Sequence, residues 1–398
     1  MNILFYRYGN ICEPDIINVL TALGINVIEE KTEITDKNLR PSQIGKLVND
    51  AISSHHPLFV FSINFFPVIA DVCHIHNILY LCWTVDCPVL ELFSQSIQHP
   101  TNRIFMFDRS QYNRLVTYNP NGIYHLPLAS AVERFDNVIR TITENERQKF
   151  TCDISFVGSL YSEKNPLKKL DNIPPYLAGY IDSIVNSSLQ VHGYNFMENA
   201  LSDDVVATFK KITPDLDIIV NPVEDTDKFI IAHKYIGFHA SEIDRIRTLN
   251  LLAEYFKVDL YTSSDASSVP KVRTHGAVGS LNEMPKIFHL SKINLNLTMK
   301  PIQSGLPLRI FDIMGCGGFC LTNYQEEISD YFEIGKDLET YSSLEELIEK
   351  CAFYLENDDI RREIAIRGYE KVRQYHTYPL RITEMIRIAS DNTNTKEL

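Results

Sequence analysis

The feature that most restricts the fold is an alternation, run through twice, of short apolar runs with amphipathic stretches. In the first pass the runs are Asn2–Tyr6, Asn26–Glu29, Leu58–Ile63, Leu79–Thr84, Arg103–Phe107 and Ile123–Leu126, rich in Ile, Leu, Phe and Val. Runs apolar on both faces suit parallel strands covered by helices on each side, so the pattern predicts βαβ units. Between the first two runs, Pro14 and Gly24 bracket Asp15–Leu23, whose Ile16, Val19, Leu20 and Leu23 share one face, which predicts a crossover helix. The pattern restarts at Asp153–Ser159, and the second pass predicts strands at Ile154–Val157, Val258–Thr262, Val272–His275, Ile293–Leu297, Gly318–Thr322 and Leu338–Tyr341. A chain of 398 residues is long for one core. The expectation is therefore an α/β protein of two doubly wound domains, 1–130 and 151–375, joined by a polar linker at 131–150 and closed by a helix and polar tail at 376–398. Residues 164–235 hold few β-runs and read as a mostly helical insertion in the second domain.

Charge and cysteine usage exclude several classes of function. Lys and Arg number 38 against 51 Asp and Glu, a net −13 spread along the chain, which lacks the basic footprint that nucleic acid or an anionic membrane requires. The eight cysteines form no CxxC pair, so no zinc site is expected. Met1–Arg7 reads as a first strand and not as a signal peptide, and the expected compartment is the cytoplasm. The most apolar stretch, Pro57–Ala70, is broken by Asn64 and falls short of the ~20 residues of a membrane span. His55-His56 and His74-x-His76 point in divergent directions and offer no third metal ligand. The lone Asp-x-Asp, Asp215-Leu-Asp217, reads as structural. No strand is followed by GxGxxG, which removes a dinucleotide-dependent dehydrogenase.

In open α/β sheets ligands bind beyond the carboxyl ends of the strands, so two such domains predict a cleft lined by those loops. The most informative loop follows the fourth strand of the second domain. Ser304 and Gly305 precede a short helix whose free N–H groups suit a diphosphate, Lys300 and Arg309 supply positive charge, and Asp312 suits ribose hydroxyls. An ordinary Gly-capped helix with an Arg309–Asp312 surface pair fits the same spacing equally well. Gly158 and Ser159 end another strand, where glycine lets a diphosphate approach the backbone. The Arg273–Gly279 stretch, with His275, Gly276 and Val278, offers backbone amides to a nucleobase edge or is a plain Gly-rich turn. In the first domain Asp86, after an apolar strand, is the candidate general base, with an N-cap as its bland alternative. Glu13 is second, with Gly9 and Asn10 near the same strand end and a favourable charge at the start of the Pro14 helix as its bland alternative, and Asn64, after the third strand, is a candidate cleft hydrogen-bonder.

The segment Leu308-Arg309-Ile-Phe-Asp312-Ile-Met-Gly315-Cys-Gly317-Gly318-Phe319, followed by Asp330–Gly335 and Tyr341–Leu347, resembles the nucleotide-sugar domain of GT-B glycosyltransferases. The likeness is nearest to the spore maturation protein CgeB-like group, with support from Ile154–Ser159, Tyr8–Asp15 and Trp83–Pro88. It implies a glycosyltransferase that needs no metal or cofactor, takes a nucleotide-diphosphate sugar, a UDP-sugar being the expected donor, and serves an unidentified acceptor. The family motif carries two acidic residues eight positions apart; Asp312 matches the second, whereas the first falls on Ser304, which leaves the stereochemical course open. The nucleotide-sugar positions implied are Gly158, Ser159, His275, Gly276, Val278, Thr298, Ser304, Gly305, Leu306, Arg309 and Asp312. The rival reading is a two-lobed nucleotide-sugar-binding or sensor protein, or a catalytically idle relative.

Overall fold

The computed structural model describes residues 1–214, 216 and 219–394. The Asp215-Leu-Asp217 motif thus lies, at both of its acids, outside the described residues. All twelve expected strands form: β1 (Asn2–Tyr6), β2 (Asn26–Glu30), β3 (Phe59–Ile63), β4 (Leu79–Trp83), β5 (Asn102–Met106), β6 (Ile123–His125), β7 (Cys152–Val157), β8 (Val258–Tyr261), β9 (Arg273–Thr274), β10 (Ser291–Asn296), β11 (Cys320–Asn323) and β12 (Glu339–Tyr341). They build two parallel six-stranded sheets, in the orders β2-β1-β3-β4-β5-β6 and β12-β11-β10-β7-β8-β9.

The chain divides into two compact units, Met1–Leu128 with Ile218–Thr226 and Thr377–Leu398, and Ala129–Asp217 with Asp227–His376. In the first, β1 is held on both sides, Leu4 standing opposite Ile28 and Val60, so its side chains face helices above and below and all but Asn2 are buried. The Glu13–Ala22 helix carries Pro14 in its first turn, and Gly24 beyond its end takes φ +77°, the left-handed conformation that closes such a helix. The C-terminal helix, Tyr378–Asn394, packs along it, fixed by the Trp83–Tyr378 edge contact and by Arg381 Nε donating to Pro127 O at 2.9 Å.

In the second unit the core is Ile154, Phe156, Leu260, Ile293, Leu295 and Leu321, all on neighbouring strands and essentially solvent-free. Each contributes about 1.5–3 kcal/mol through burial. Two expectations need correction. Residues 131–150 are no linker: they form the helices Val132–Ile139 and Glu144–Phe150 within the second unit, because Val132, Phe135 and Phe150 supply buried faces and Thr143 with Glu146 makes a capping box. The 164–235 insertion is helical, with Pro175–Ser188 and Asp203–Ile212, yet its 218–226 portion belongs to the first unit. There Val223 N donates to Phe93 O at 2.7 Å, and Glu224 accepts from Arg114 Nε at 2.6 Å and Tyr118 OH at 2.8 Å.

Between the Leu308–Gly315 helix and β11, Gly317 sits at φ +69° and Gly318 is pressed between elements. A Cβ on Gly318 would lie 2.6 Å from Phe288 O and 3.1 Å from Ile313 O, both backbone atoms that cannot rotate away. Gly318→Ala should therefore destabilise the second unit by about 2–3 kcal/mol, read as a lower midpoint in denaturant with an unchanged slope.

Candidate functional site

Sheet topology picks out where a ligand belongs. In the second unit β7 is flanked by β8 and β10, and the strand order reverses between β7 and β10; in the first the reversal falls between β1 and β3. At such a switch point the loops leave in opposite directions and open a crevice at the carboxyl ends.

Gly158, Ser159, Leu297 and Thr298 stand at the β7/β10 crevice, and one side chain that the sequence reading did not single out ties them together. Arg245, on the Gly237–Tyr255 helix, donates through Nη1 to Ser159 O and through Nη2 to Leu297 O at 2.7 Å, and lies over the Tyr161 ring at 4.4 Å. It is 9% exposed, and its Nε has no partner. Burial pushes its guanidinium down from the ordinary value, and the charge of Arg309 pushes it further. No local motif marks Arg245, since it reads as one more polar helix residue.

Arg309 and Asp312 come together as their helical spacing predicts, Nη1 to Oδ2 at 3.5 Å, with the guanidinium over the Phe288 ring. Burial pushes Arg309 down from its ordinary value, and the Asp312 carboxylate opposes that. Asp312 is buried, unlike the surface pair of the bland reading, while Arg309 keeps 26% of its side chain exposed. Ser304, Gly305 and Leu306 are buried ahead of this helix, and the Ser304 hydroxyl donates to Glu327 Oε1 at 2.7 Å. A buried carboxylate thus stands at the Ser304 hydroxyl, reached from the far side of β11.

The remaining positions are more local. Gly158 N–H donates to Tyr261 O, and a Cβ there would sit 4.0 Å from Arg245 Nη1. The Ser159 hydroxyl donates to Glu163 at 2.6 Å and accepts from Tyr161 N at 2.8 Å, which closes its own turn. Thr298 N–H donates to Asn323 Oδ1 at 2.8 Å. His275 stacks on Tyr261 at 4.6 Å and contacts buried Asp259 at 2.6 Å through Nε2; Gly276 takes φ +74° beside it in the open, and Val278 is half-buried.

Beyond β10 and β11 the loop 298–303 and residues 188–197 of the helical insertion enclose a small pocket of about 30 Å³ lined by His192, Asn195, Lys300, Gln303, Asn323 and Gln325. Lys300 Nζ donates to Ser188 O at 3.1 Å and lies 3.6 Å from Asp244. Burial, with the Lys300 charge behind it, pushes the His192 imidazole down to about 4 from 6.5. The neutral ring is thus the form the fold accepts. Between pH 6.5 and about 4 the unfolded chain binds a proton that the folded unit refuses, so stability present above pH 6.5 is lost as pH falls through that window. The loss amounts to up to about 3 kcal/mol, and His192→Gln should flatten the acid limb of a stability–pH curve.

In the first unit Tyr8, Asn10, Asn64 and Asp86 gather at the ends of β1, β3 and β4. Asn64, at φ +56°, donates through Nδ2 to Asp86 Oδ2 at 2.6 Å and to Tyr8 OH at 2.9 Å, and Asn10 Nδ2 donates to the same hydroxyl at 3.0 Å. Asn64 Oδ1 accepts from Val85 N at 2.9 Å, which locks the amide's orientation. Asp86 is exposed and is not an N-cap: the following turn, Leu90–Phe93, starts from Val89. The Asp86 charge, after burial, raises the Tyr8 phenol. Glu13 is fully buried, with Oε1 accepting from Tyr8 N and Gly9 N and Oε2 from Arg7 Nε at 3.0 Å. It braces the turn that presents Tyr8. Among the described residues no group of three His, Cys, Asp or Glu is placed to hold a metal ion, and no helix is long and apolar enough to cross a membrane.

Two parallel six-stranded α/β sheets of these orders make the fold that GT-B glycosyltransferases have. Residues 244–387 match a family model described as glycosyl transferase-like, a stretch that includes Arg245, Arg309 and Asp312. Similar solved structures include a glycosyltransferase from Rickettsia africae, at 11% identity over 98% of both chains with a TM-score of 0.55. Sucrose-phosphate synthase from Thermosynechococcus elongatus matches at 10% identity over 97% of this chain and 98% of that one, also with a TM-score of 0.55. HepE of Anabaena, solved in complex with UDP-glucose, matches at 11% identity over 99% of this chain and all of that one, with a TM-score of 0.53. No curated protein sequence matches the chain.

Proposed function

We propose that the chain is a glycosyltransferase of the CgeB-like group that moves a sugar from a nucleoside-diphosphate sugar, a UDP-sugar in the first instance, to an acceptor hydroxyl. The observation that carries the reading is the buried Arg245 guanidinium at the β7/β10 switch point, its Nε without a partner, with the partly exposed Arg309 near enough for its charge to push Arg245 down. A buried cation beside a second cation is stabilised by an anion, and a diphosphate is the anion that the carboxyl ends of such a sheet accommodate. The HepE complex with UDP-glucose supports the donor class.

Asp312 accepts the ribose hydroxyls, the loop around His275, Gly276 and Val278 takes the base, and the turn Gly158–Ser159 with the backbone of Ser304–Leu306 and Thr298 frames the diphosphate and sugar. The Asp86 carboxylate takes the acceptor's proton as its oxygen bonds to the anomeric carbon and the bond to the diphosphate breaks. Arg245 and Arg309 stabilise the charge that develops on the leaving group, work that a metal ion does in other transferases. Glu13 holds the Tyr8 turn and leaves the base role to Asp86. All eight cysteines are free thiols, which suits a reducing cytoplasm.

The reading is tested by titrating the protein with UDP, GDP and CMP in EDTA, then following slow hydrolysis of the matching nucleotide-sugar. Affinity for one nucleoside diphosphate together with release of free sugar is the expected result. Binding without hydrolysis or transfer to any acceptor would favour a binding protein, and no binding at all would overturn the proposal.

A further inference from the structure

We propose that the second unit carries a phosphate-binding site at the opposite end of its sheet, suited to a phosphorylated small molecule. At the amino ends of β7 and β10, which begin at Cys152 and Ser291, lies an open cavity of about 460 Å³. Arg147, Lys292, Arg361 and Arg362 line it, and Asp358 is the sole acid among the lining residues. In a chain of net charge −13 such a convergence of cations is contrary to the average and calls for a physical reason.

The neighbouring carboxylates do not exhaust these charges. Asp358 is shared, accepting from Arg361 and, at 2.8 Å, from Arg362, and these guanidiniums hold its carboxyl below the usual range. Arg361 is anchored by a 2.6 Å bond to Tyr354 O, so its charge is fixed in the wall. Arg362 keeps 71% of its side chain exposed, Lys292 meets Asp153 at 2.7 Å with 43% exposed, and Arg147 stands 3.9 Å from Glu144 with 55% exposed. Pairs exposed to this degree are weak, because water screens them, and exchange readily for a better acceptor. A phosphate offers that acceptor, because its oxygens match the planar forks of arginine two at a time.

The cavity falls within the roughly 300–1,000 Å³ of small-molecule sites and exceeds what an inorganic phosphate fills. Leu290 and Ile366 in its lining give an organic moiety apolar contact. His289, also in the lining, contacts Cys316 O through Nδ1 at 3.0 Å. That carbonyl ends the Leu308–Gly315 helix, which carries Arg309 and Asp312, so an occupant of the cavity touches the far end of the element that holds the nucleotide. This coupling rests on the donor-site reading above; the binding of phosphate does not.

The test is calorimetric titration of the full chain with glucose 6-phosphate, inorganic phosphate and glucose, with and without UDP, in the wild type and in Arg362→Glu and Lys292→Glu. Both residues are exposed, so the variants should keep the fold, which a melting curve checks. Binding of glucose 6-phosphate but not glucose, weakened about tenfold or more in either variant, is expected. Inorganic phosphate binding as tightly as the ester would support the site and identify free phosphate as its occupant. Absence of binding by both phosphates, or affinities untouched by both substitutions, would overturn the site. A UDP affinity equal with and without the phosphate probe would overturn the coupling alone, whereas failure of UDP to bind under any condition would overturn the donor reading and the coupling together.

Discussion

Asp86→Asn should lower turnover by about 10²–10⁴-fold and leave the affinity for UDP unchanged. Asn64 Nδ2 fixes one carboxylate oxygen, Oδ2, from the side, and its own Oδ1 is pinned by Val85 N, so the amide cannot turn and the Asp86 carboxylate is held in one orientation. Asparagine keeps an oxygen for that bond and the same shape, but it has no basic oxygen to accept the acceptor's proton. Steady-state rates with the acceptor, set beside UDP titration of the same sample, separate the two effects. An unchanged rate would remove Asp86 from the chemistry, and a loss of UDP affinity would place it in donor binding.

Asp312→Asn should weaken UDP about 10–100-fold, with little effect on the folded state. A hydrogen bond to a charged group contributes about 1.5–3 kcal/mol, and the amide retains a single acceptor where the carboxylate can take two ribose hydroxyls. The near-isosteric change also leaves Arg309 in place above the Phe288 ring, because that contact does not depend on the carboxylate. Titration of UDP against UMP measures the effect on the right part of the ligand: the ribose loss should appear equally with both nucleotides. A deficit confined to UDP would mean that Asp312 acts on the diphosphate through Arg309.

The strands were legible because a residue on a doubly covered parallel strand has no polar side to satisfy, and runs such as Phe59–Ile63 and Leu79–Trp83 announce this in composition alone. The Arg309–Asp312 pair was legible for a similar reason, since three-residue spacing on a helix guarantees adjacency. The 131–150 segment is polar enough to resemble a linker in composition, yet the Thr143–Glu146 capping box within it starts a helix. Glu13 was visible as an acid near a strand end, but its two hydrogen bonds from Tyr8 N and Gly9 N depend on a turn that composition does not describe.

By itself, then, the sequence determined the number of strands, the division into two α/β sheets and the helix that carries Arg309 and Asp312. These follow from periodicity and turn chemistry, which act over a few residues. Only the tertiary structure decided that Arg245 reaches Ser159 and Leu297 across 86 and 52 residues of chain, that Asn64 clamps Asp86, that Ser304 meets Glu327, and that cations gather at the amino ends of β7 and β10. Such contacts are set by which strands lie side by side, and strand order is a property of the packed sheet that no local window of sequence contains.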